Sequence, residues 1–409
     1  MLREAREAMQ AAGCWSANQQ MGMRWPVGCV ALEITQRCNL DCTLCYLSES
    51  SEAVADPPLE EIFARIERIR SHYGANVDVQ VTGGEPTLRR RDELVAIVRR
   101  LSDRGLRPTL MTNGRRATRE LLAALAEAGL LDVAFHVDTT QQLKGYANEA
   151  ELNALRAAYL DRARGLPLSV MFNTTVHDGN FAAIPDVVRF FRANAGRVRT
   201  ASFQVQAQTG RGVHEKQTTI GLDEVAAQIE RGAGTALNFH GSLIGHPRCN
   251  RYALCLAANG ALHDALDDAG LVGRLQPATA HLVFDRRDRA GTARSFLAWL
   301  AAHPRHWPAV AKWTAGKLWR MKGDLVAARG RVQTLSFIVH GFMDAAALDE
   351  ERIGACVFKV MTGDGPVSMC LHNARREAYL RWQPLRGSPG ELKYAKGRTR
   401  RRLMLERRR

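Results

Sequence analysis

Three cysteines stand within eight residues, in the segment CNLDCTLC that carries Cys38, Cys42 and Cys45. A loop of this kind at the end of a strand can present three thiolates to three irons of a [4Fe–4S] cubane. The fourth iron then stays open to a small molecule bearing an amine and a carboxylate. A structural zinc site would need a fourth protein ligand, which this loop lacks. No catalytic acid, base or nucleophile can be assigned from the sequence.

The elements that must hold this loop repeat. Between residues 30 and 235, six apolar, β-rich runs each precede a helical pattern: VALEITQ (30–36), VDVQVTG (77–83), PTLMTNG (108–114), DVAFHVD (132–138), LSVMFNTTV (168–176) and ASFQVQAQ (201–208). Helices follow, as in PLEEIFARIERIRSHYG and LDEVAAQIERGAG, with apolar residues at three and four and most ending at Gly. Successive βα units predict an α/β fold with a parallel sheet, a partial (βα)6 barrel of the TIM type, whose site lies at the strands' C-terminal ends. The cysteine loop follows the first strand, where such a site belongs.

The chain has 409 residues, 46% of them hydrophobic, enough for a large core. No apolar run reaches 18 residues, and the charged amino terminus MLREAREAMQ does not resemble a signal sequence, so a cytoplasmic location is expected. Nine cysteines are too sparse for a disulfide scaffold and are available to metal. The net charge of +15 is uneven: residues 386–409 hold ten Lys and Arg against two Glu, and read as a basic flexible tail. The expected organisation is a 1–29 extension, a 30–235 barrel, a 236–385 module and the 386–409 tail.

CxxxCxxC after the first strand, followed by Gly83-Gly84-Glu85-Pro86 after the second, resembles the radical S-adenosylmethionine (SAM) superfamily over roughly residues 30 to 210. The resemblance implies a [4Fe–4S] cluster on Cys38, Cys42 and Cys45, with SAM cleaved reductively to a 5′-deoxyadenosyl radical. It also implies that Gly83, Gly84 and Glu85 meet the methionyl ammonium, since glycines admit close backbone approach and a carboxylate complements a cation. The residue before the third cysteine, usually aromatic in the family, is Leu44 here, and Tyr46 follows; both are candidate SAM contacts. Asn113, Asp138, Asn173 and Gln206 stand at the ends of strands three to six, where they either meet SAM or satisfy turns.

Cys249, Cys255, Cys356 and Cys370 remain in the 236–385 module. Four thiolates could close a second [4Fe–4S] cluster or a zinc site, or the four could be buried structural residues. The segments FQVQAQTGRG, HPRC, HGFMDAAALDEERIGAC and DGPVSMCLHN resemble the subgroup with the archaeal tetraether lipid synthase and the folate- or methanopterin-dependent radical SAM methylases. That subgroup implies an auxiliary cluster on the later cysteines. Upstream stand only Cys14 and Cys29, which alone cannot hold a cluster.

The stretch FLAWLAAHPRHWPAVAKWTAGKLWRMKGDL interleaves Trp299, Trp307, Trp313 and Trp319 with basic residues, suiting either a helical core or a lipid interface. With the basic tail it leaves peripheral contact with anionic membrane open. The expected activity is hydrogen abstraction from an unactivated C–H bond, for carbon–carbon bond formation or methylation on a lipid or other apolar small molecule. The electron would come from a donor such as flavodoxin or ferredoxin. Modification of a peptide or RNA is the alternative enzyme reading, although nucleic acid is not an expected partner. A non-catalytic iron–sulfur sensor is the third reading, and it leaves GGEP unexplained.

Overall fold

The computed structural model describes residues 1–380, so the tail at 386–409 lies outside the described residues. The strands are β1 (Cys29–Thr35), β2 (Asp78–Gly83), β3 (Arg107–Thr112), β4 (Asp132–His136), β5 (Ser169–Val176), β6 (Val198–Val205), β7 (Asn250–Ala258), β8 (Ala261–Asp264), β9 (Gln333–Gly341), β10 (Phe358–Thr362) and β11 (Gly365–Ser368). The helices are α1 (Leu2–Ala11), α2 (Leu59–Tyr73), α3 (Arg91–Asp103), α4 (Arg119–Glu127), α5 (Leu152–Ala163), α6 (Ile184–Ala193), α7 (Leu222–Ala233), α8 (Ala269–Ala278), α9 (Arg289–Ala302), α10 (Trp307–Ala327), α11 (Glu350–Gly354), α12 (Met369–Ala374) and α13 (Arg376–Tyr379).

All of them feed one sheet of order β11-β10-β1-β2-β3-β4-β5-β6-β9-β7-β8. The six expected βα units are present, from β1 to α7. Two further strands, β10 beside β1 and β9 beside β6, are also parallel, so the parallel run is longer than the six strands foreseen. The hydrogen-bonded order is linear, which leaves the barrel open.

The stretch from 236, read from sequence as a second module, therefore supplies strands to both ends of the same sheet. The pairing that does this is long-range, and local periodicity cannot carry it. β7, which looks irregular in sequence, runs antiparallel to β9 with β8 on its far side.

Alternation within the strands divides two environments. Val30, Leu32 and Ile34 of β1, Val79 and Val81 of β2, Val133 and Phe135 of β4, and Phe172 of β5 are buried in the main apolar core with the helix faces, including Ile62, Ile66 and Ile97. The alternate residues point the other way, into the barrel, as the period of two requires.

The helix ends explain where strands can begin. α2 stops at Gly74, whose φ of 82° is left-handed, and α4 starts at Thr118, whose side chain accepts from Leu121 N–H.

The amino-terminal segment is stitched to the chain far downstream. Gln20 N–H donates to Leu243 O, Leu243 N–H donates to Asn18 O, and the Gln19 amide exchanges two hydrogen bonds with the Gly245 backbone.

Candidate functional site

A cavity of about 240 Å³ opens where β1 to β6 end. Its floor is the inward row of the strands, in period-two pairs: Ala31 and Glu33, Gln80 and Thr82, Ala134 and His136, Asn173 and Thr175, Gln204 and Gln206. Cys38, Cys42 and Cys45 line its mouth together with Leu44, Tyr46, Gly83, Gly84, Glu85 and Asn113. All of the expected SAM contacts but one thus share a single cavity with the three thiols.

The cysteine loop is held from several sides. Below it, Arg37 forms an ion pair with Asp56. Across it, Thr43 N–H donates to Thr140 O at 2.9 Å. Above it lies the segment after β6, with Val213 N–H on Thr43 O, Gly212 N–H on Cys45 O and Arg211 N–H on Leu47 O. A Cβ at Gly210 would come within 2.4 Å of Cys45 O, so a glycine is needed for this strap to lie flat. The TGRG sequence after strand six was the available signal for it.

The glycines of GGEP answer to the same constraint. A Cβ on Gly83, at φ 129°, would sit 1.9 Å from Thr35 O, and one on Gly84 would sit 2.2 Å from Arg37 O. Gly84 N–H and Glu85 N–H donate to those two carbonyls, at 2.9 and 2.8 Å. The Glu85 carboxylate is buried and accepts from Thr87 N–H, Thr87 Oγ1, Thr112 Oγ1 and Asn113 N–H. Four donors occupy most of what a carboxylate can accept. These bonds tie Glu85 to the turn after β3, while it still lines the cavity.

Asp138 is the one expected SAM contact that the cavity lining does not include. Its carboxylate is fully buried and does not line the cavity, being consumed by Thr140, Thr175 N–H and the His136 imidazole, the last at 2.7 Å. His136, two residues earlier on the inward face of β4, reaches the cavity in its place. Burial works against the His136 imidazolium, but the Asp138 carboxylate outweighs it, and the net shift is upward. Asn113 is committed to Asn39 and to the Arg115 N–H, and Gln206 donates to His214 O.

Glu33, Gln80, Thr82, His136, Thr175 and Gln204 escaped the sequence reading. Their signal was a polar side chain alternating with the buried apolar row, as Gln80 and Thr82 do with Val79 and Val81.

Burial pushes the Cys38 thiol up to about 11, with Glu85 and Cys45 adding to the effect, and raises Cys42 further. Such thiols become thiolates only beside a strong cation, as a metal cluster provides. Three thiols of one loop facing one cavity, with no fourth protein thiol among its lining residues, fit a cubane with one open iron.

The later cysteines divide. Cys249, Cys356 and Cys370 lie close enough to influence one another, whereas Cys255 sits inside β7, paired with Leu335 and Asp264 and buried in the main core. Six residues along a strand separate it from Cys249 by about 20 Å. Cys255 thus lies apart from the other three later cysteines. Among the described residues no three His, Cys, Asp or Glu side chains gather as around a single metal ion.

Residues 32–191 match the family model described as the Radical SAM superfamily. That family uses a [4Fe–4S] cluster with Cys ligands, and SAM. The chain is 32% identical over 212 residues to the PqqA peptide cyclase of Bradyrhizobium diazoefficiens, covering 49% of this chain and 53% of that one. It is 30% identical over 192 residues to the 7,8-dihydro-6-hydroxymethylpterin dimethyltransferase of Methanocaldococcus jannaschii, covering 45% and 37%. The chain thus spans about half or less of the length of these relatives. Among solved structures, Streptococcus suis SuiB bound to precursor peptide SuiA is similar at 15% identity and a TM-score of 0.39, over 56% of this chain and 48% of that one.

Proposed function

We propose that the chain is an enzyme that cleaves SAM by one electron at a [4Fe–4S] cluster on Cys38, Cys42 and Cys45. The observation that carries this reading is the shared cavity of the three thiols, the Gly83–Gly84 backbone edge and the inward row of the strands. When bound, cluster and SAM supply reductive cleavage to methionine and a 5′-deoxyadenosyl radical, which takes hydrogen from an unactivated C–H bond. The chain's own residues bind, orient and exclude water. Gly83 and Gly84 offer backbone to the methionyl ammonium, Leu44 and Tyr46 flank the adenosyl side, and Asn113, Asn173 and Gln206 give polar contacts. A flavodoxin or ferredoxin supplies the electron.

For the substrate we favour a lipid or other apolar chain undergoing carbon–carbon bond formation or methylation. Leu40, Leu44, Leu47, Phe342 and Met369 give the cavity an apolar wall. On the outer surface, Trp307, Leu318, Trp319 and Val326 of α10 are exposed among Lys312, Arg320 and Lys322, which supports peripheral contact with anionic bilayers. Trp299 is instead buried against His303, so only part of the Trp-rich stretch is available for such contact. Peptide modification is the second reading, favoured by the likeness to a protein named as a peptide cyclase.

Anaerobic protein supplied with SAM and a low-potential reductant should release 5′-deoxyadenosine, and Cys38→Ala should abolish it. Persistent release from the variant would sink the assignment. Mass spectrometry of cell extracts with and without the protein should show a change among lipids; a change confined to peptides would transfer the substrate to the second reading.

A further inference from the structure

The second thiol set gains a member from the amino-terminal segment. We infer that Cys14, Cys249, Cys356 and Cys370 together hold a second iron–sulfur cluster, with Cys14 in the place expected of Cys255. The inference extends the reading above to a separate site and borrows from it only the presence of iron–sulfur chemistry in this chain.

The geometry starts from the stitched amino terminus. Asn18, Gln19 and Gln20 are hydrogen-bonded to residues 241–245, which lead within a few positions to Cys249. Cys14 itself turns out of α1, its N–H on Met9 O at 2.9 Å. It packs on the small apolar cluster that contains Ala355 and Val357, the residues on either side of Cys356.

From the other direction, Gly341 at the end of β9 ties two of the later thiols together. Its N–H donates to Cys249 O at 2.8 Å, and its carbonyl accepts from Arg352, whose Nε also donates to Cys249 Sγ at 3.2 Å. Two residues on, Met343 N–H points at Cys370 Sγ at 3.5 Å. Cys356 closes the turn after α11, its N–H on Ile353 O.

Cys14, Cys249 and Cys370 each register a neighbouring thiol of the set. Cys370 is raised to about 12, first by burial, with Cys356 and Cys249 adding to it and the Met343 N–H and Arg352 opposing it. Burial raises Cys249, with Cys356 adding to the shift and Arg352 opposing it. For Cys14, burial acts first and Glu351 and Cys249 follow. By contrast Cys255 is raised by burial and Asp264 and feels none of these thiols.

Several thiols that oppose one another's ionisation become ligands when a cluster's irons compensate their charge. Arg352, already directed at Cys249 Sγ, would donate to a ligating sulfur in the manner that tunes cluster potential. Cys29 is near Cys356 but lies inside β1, fully enclosed, and serves as a control.

The test counts iron and sulfide in anaerobically reconstituted full-length protein. The parent should hold about eight irons, and Cys14→Ala and Cys249→Ala about four each, with Cys255→Ala and Cys29→Ala retaining about eight. In a chain already lacking Cys38, Cys42 and Cys45, about four irons and their electron paramagnetic resonance signal should remain and vanish on adding Cys14→Ala.

Circular dichroism melting separates ligand loss from misfolding. Cys14 is half-buried at a helix exit, and its replacement should leave the melt nearly unchanged. If Cys14→Ala keeps the full iron count, or if one zinc is found with only four irons, the inference is overturned. Failure of the first site alone reads differently, as loss of the irons that depend on Cys38 with the Cys14-dependent signal intact.

Discussion

The guanidinium of Arg376 lies over the ring of Tyr46, 4.8 Å from its centroid, and ion-pairs at the same time with Glu33 on the floor of the cavity. Tyr46 in turn donates from its hydroxyl to Gly83 O at 2.5 Å. One residue from the described carboxy-terminal end thus braces the residue next to Cys45, the GGEP backbone and the inward face of β1.

Arg376→Met should therefore destabilise strongly. It leaves the buried Glu33 carboxylate with only Gln36 and the more distant His372, a loss of about 3 to 5 kcal/mol for a buried pair broken on one side. Thermal unfolding under anaerobic conditions should show a lowered midpoint. The double variant with Glu33→Gln should recover part of the loss, because the stranded charge is gone. Additive losses in the two variants would mean that the pair does not act as a unit.

Gly83→Ala should weaken SAM binding tenfold or more. The added methyl has no room beside Thr35 O, and the φ of 129° is unfavourable for any residue with a Cβ, so β1 and β2 must part where the cysteine loop begins. Equilibrium binding of SAM to the reconstituted variant measures this. Parental affinity would mean that the two strand ends have slack.

His136 and Asp138 should give a stability profile with a window. The Asp138 carboxylate is held well below its usual range: burial opposes this, but the His136 charge and hydrogen bond and those from Thr140 and Thr175 outweigh it. Its contribution is complete above about pH 4 and fades on acidification. The His136 contribution is complete below about pH 6.5 and is lost as pH rises through its raised value. The pair stabilises most between those limits, and Asp138→Asn should flatten melting temperature against pH across them. An unchanged profile in the variant would refute the coupling.

His340 should act in the opposite sense. It is enclosed with Phe342 and Phe358 and bonded to Asn250 at 2.6 Å, and burial lowers its imidazolium to about 4. The unfolded chain takes up this proton near pH 6.5, so stability should fall as pH drops from about 6.5 to 4, by on the order of 3 kcal/mol in all. Denaturant unfolding at several pH values would show it, and His340→Gln should remove that part of the slope.

The six βα units were legible because each strand is a short apolar run with its helix close behind, and the thiol loop with GGEP because both motifs are local. What escaped depended on partners far away in the chain. Phe358-Lys-Val-Met-Thr reads as nothing in particular until it is set beside β1, and Asn250 and Arg251 disguise the start of β7. Cys255 looked like a companion of Cys249 by spacing, but a strand carries it out of reach. Cys14 looked solitary because its neighbours arrive more than 200 residues later.

Cys29 of β1 is in register with Phe358 of β10, so the first strand of the barrel waits for a partner about 330 residues downstream. Emerging at about 5 to 20 residues per second, the chain exposes the Cys38 loop for tens of seconds before that wall of the cavity exists. Throughout that interval these thiols are open to oxygen and stray metals, so the timing of synthesis, as much as the finished fold, governs which metal they first encounter.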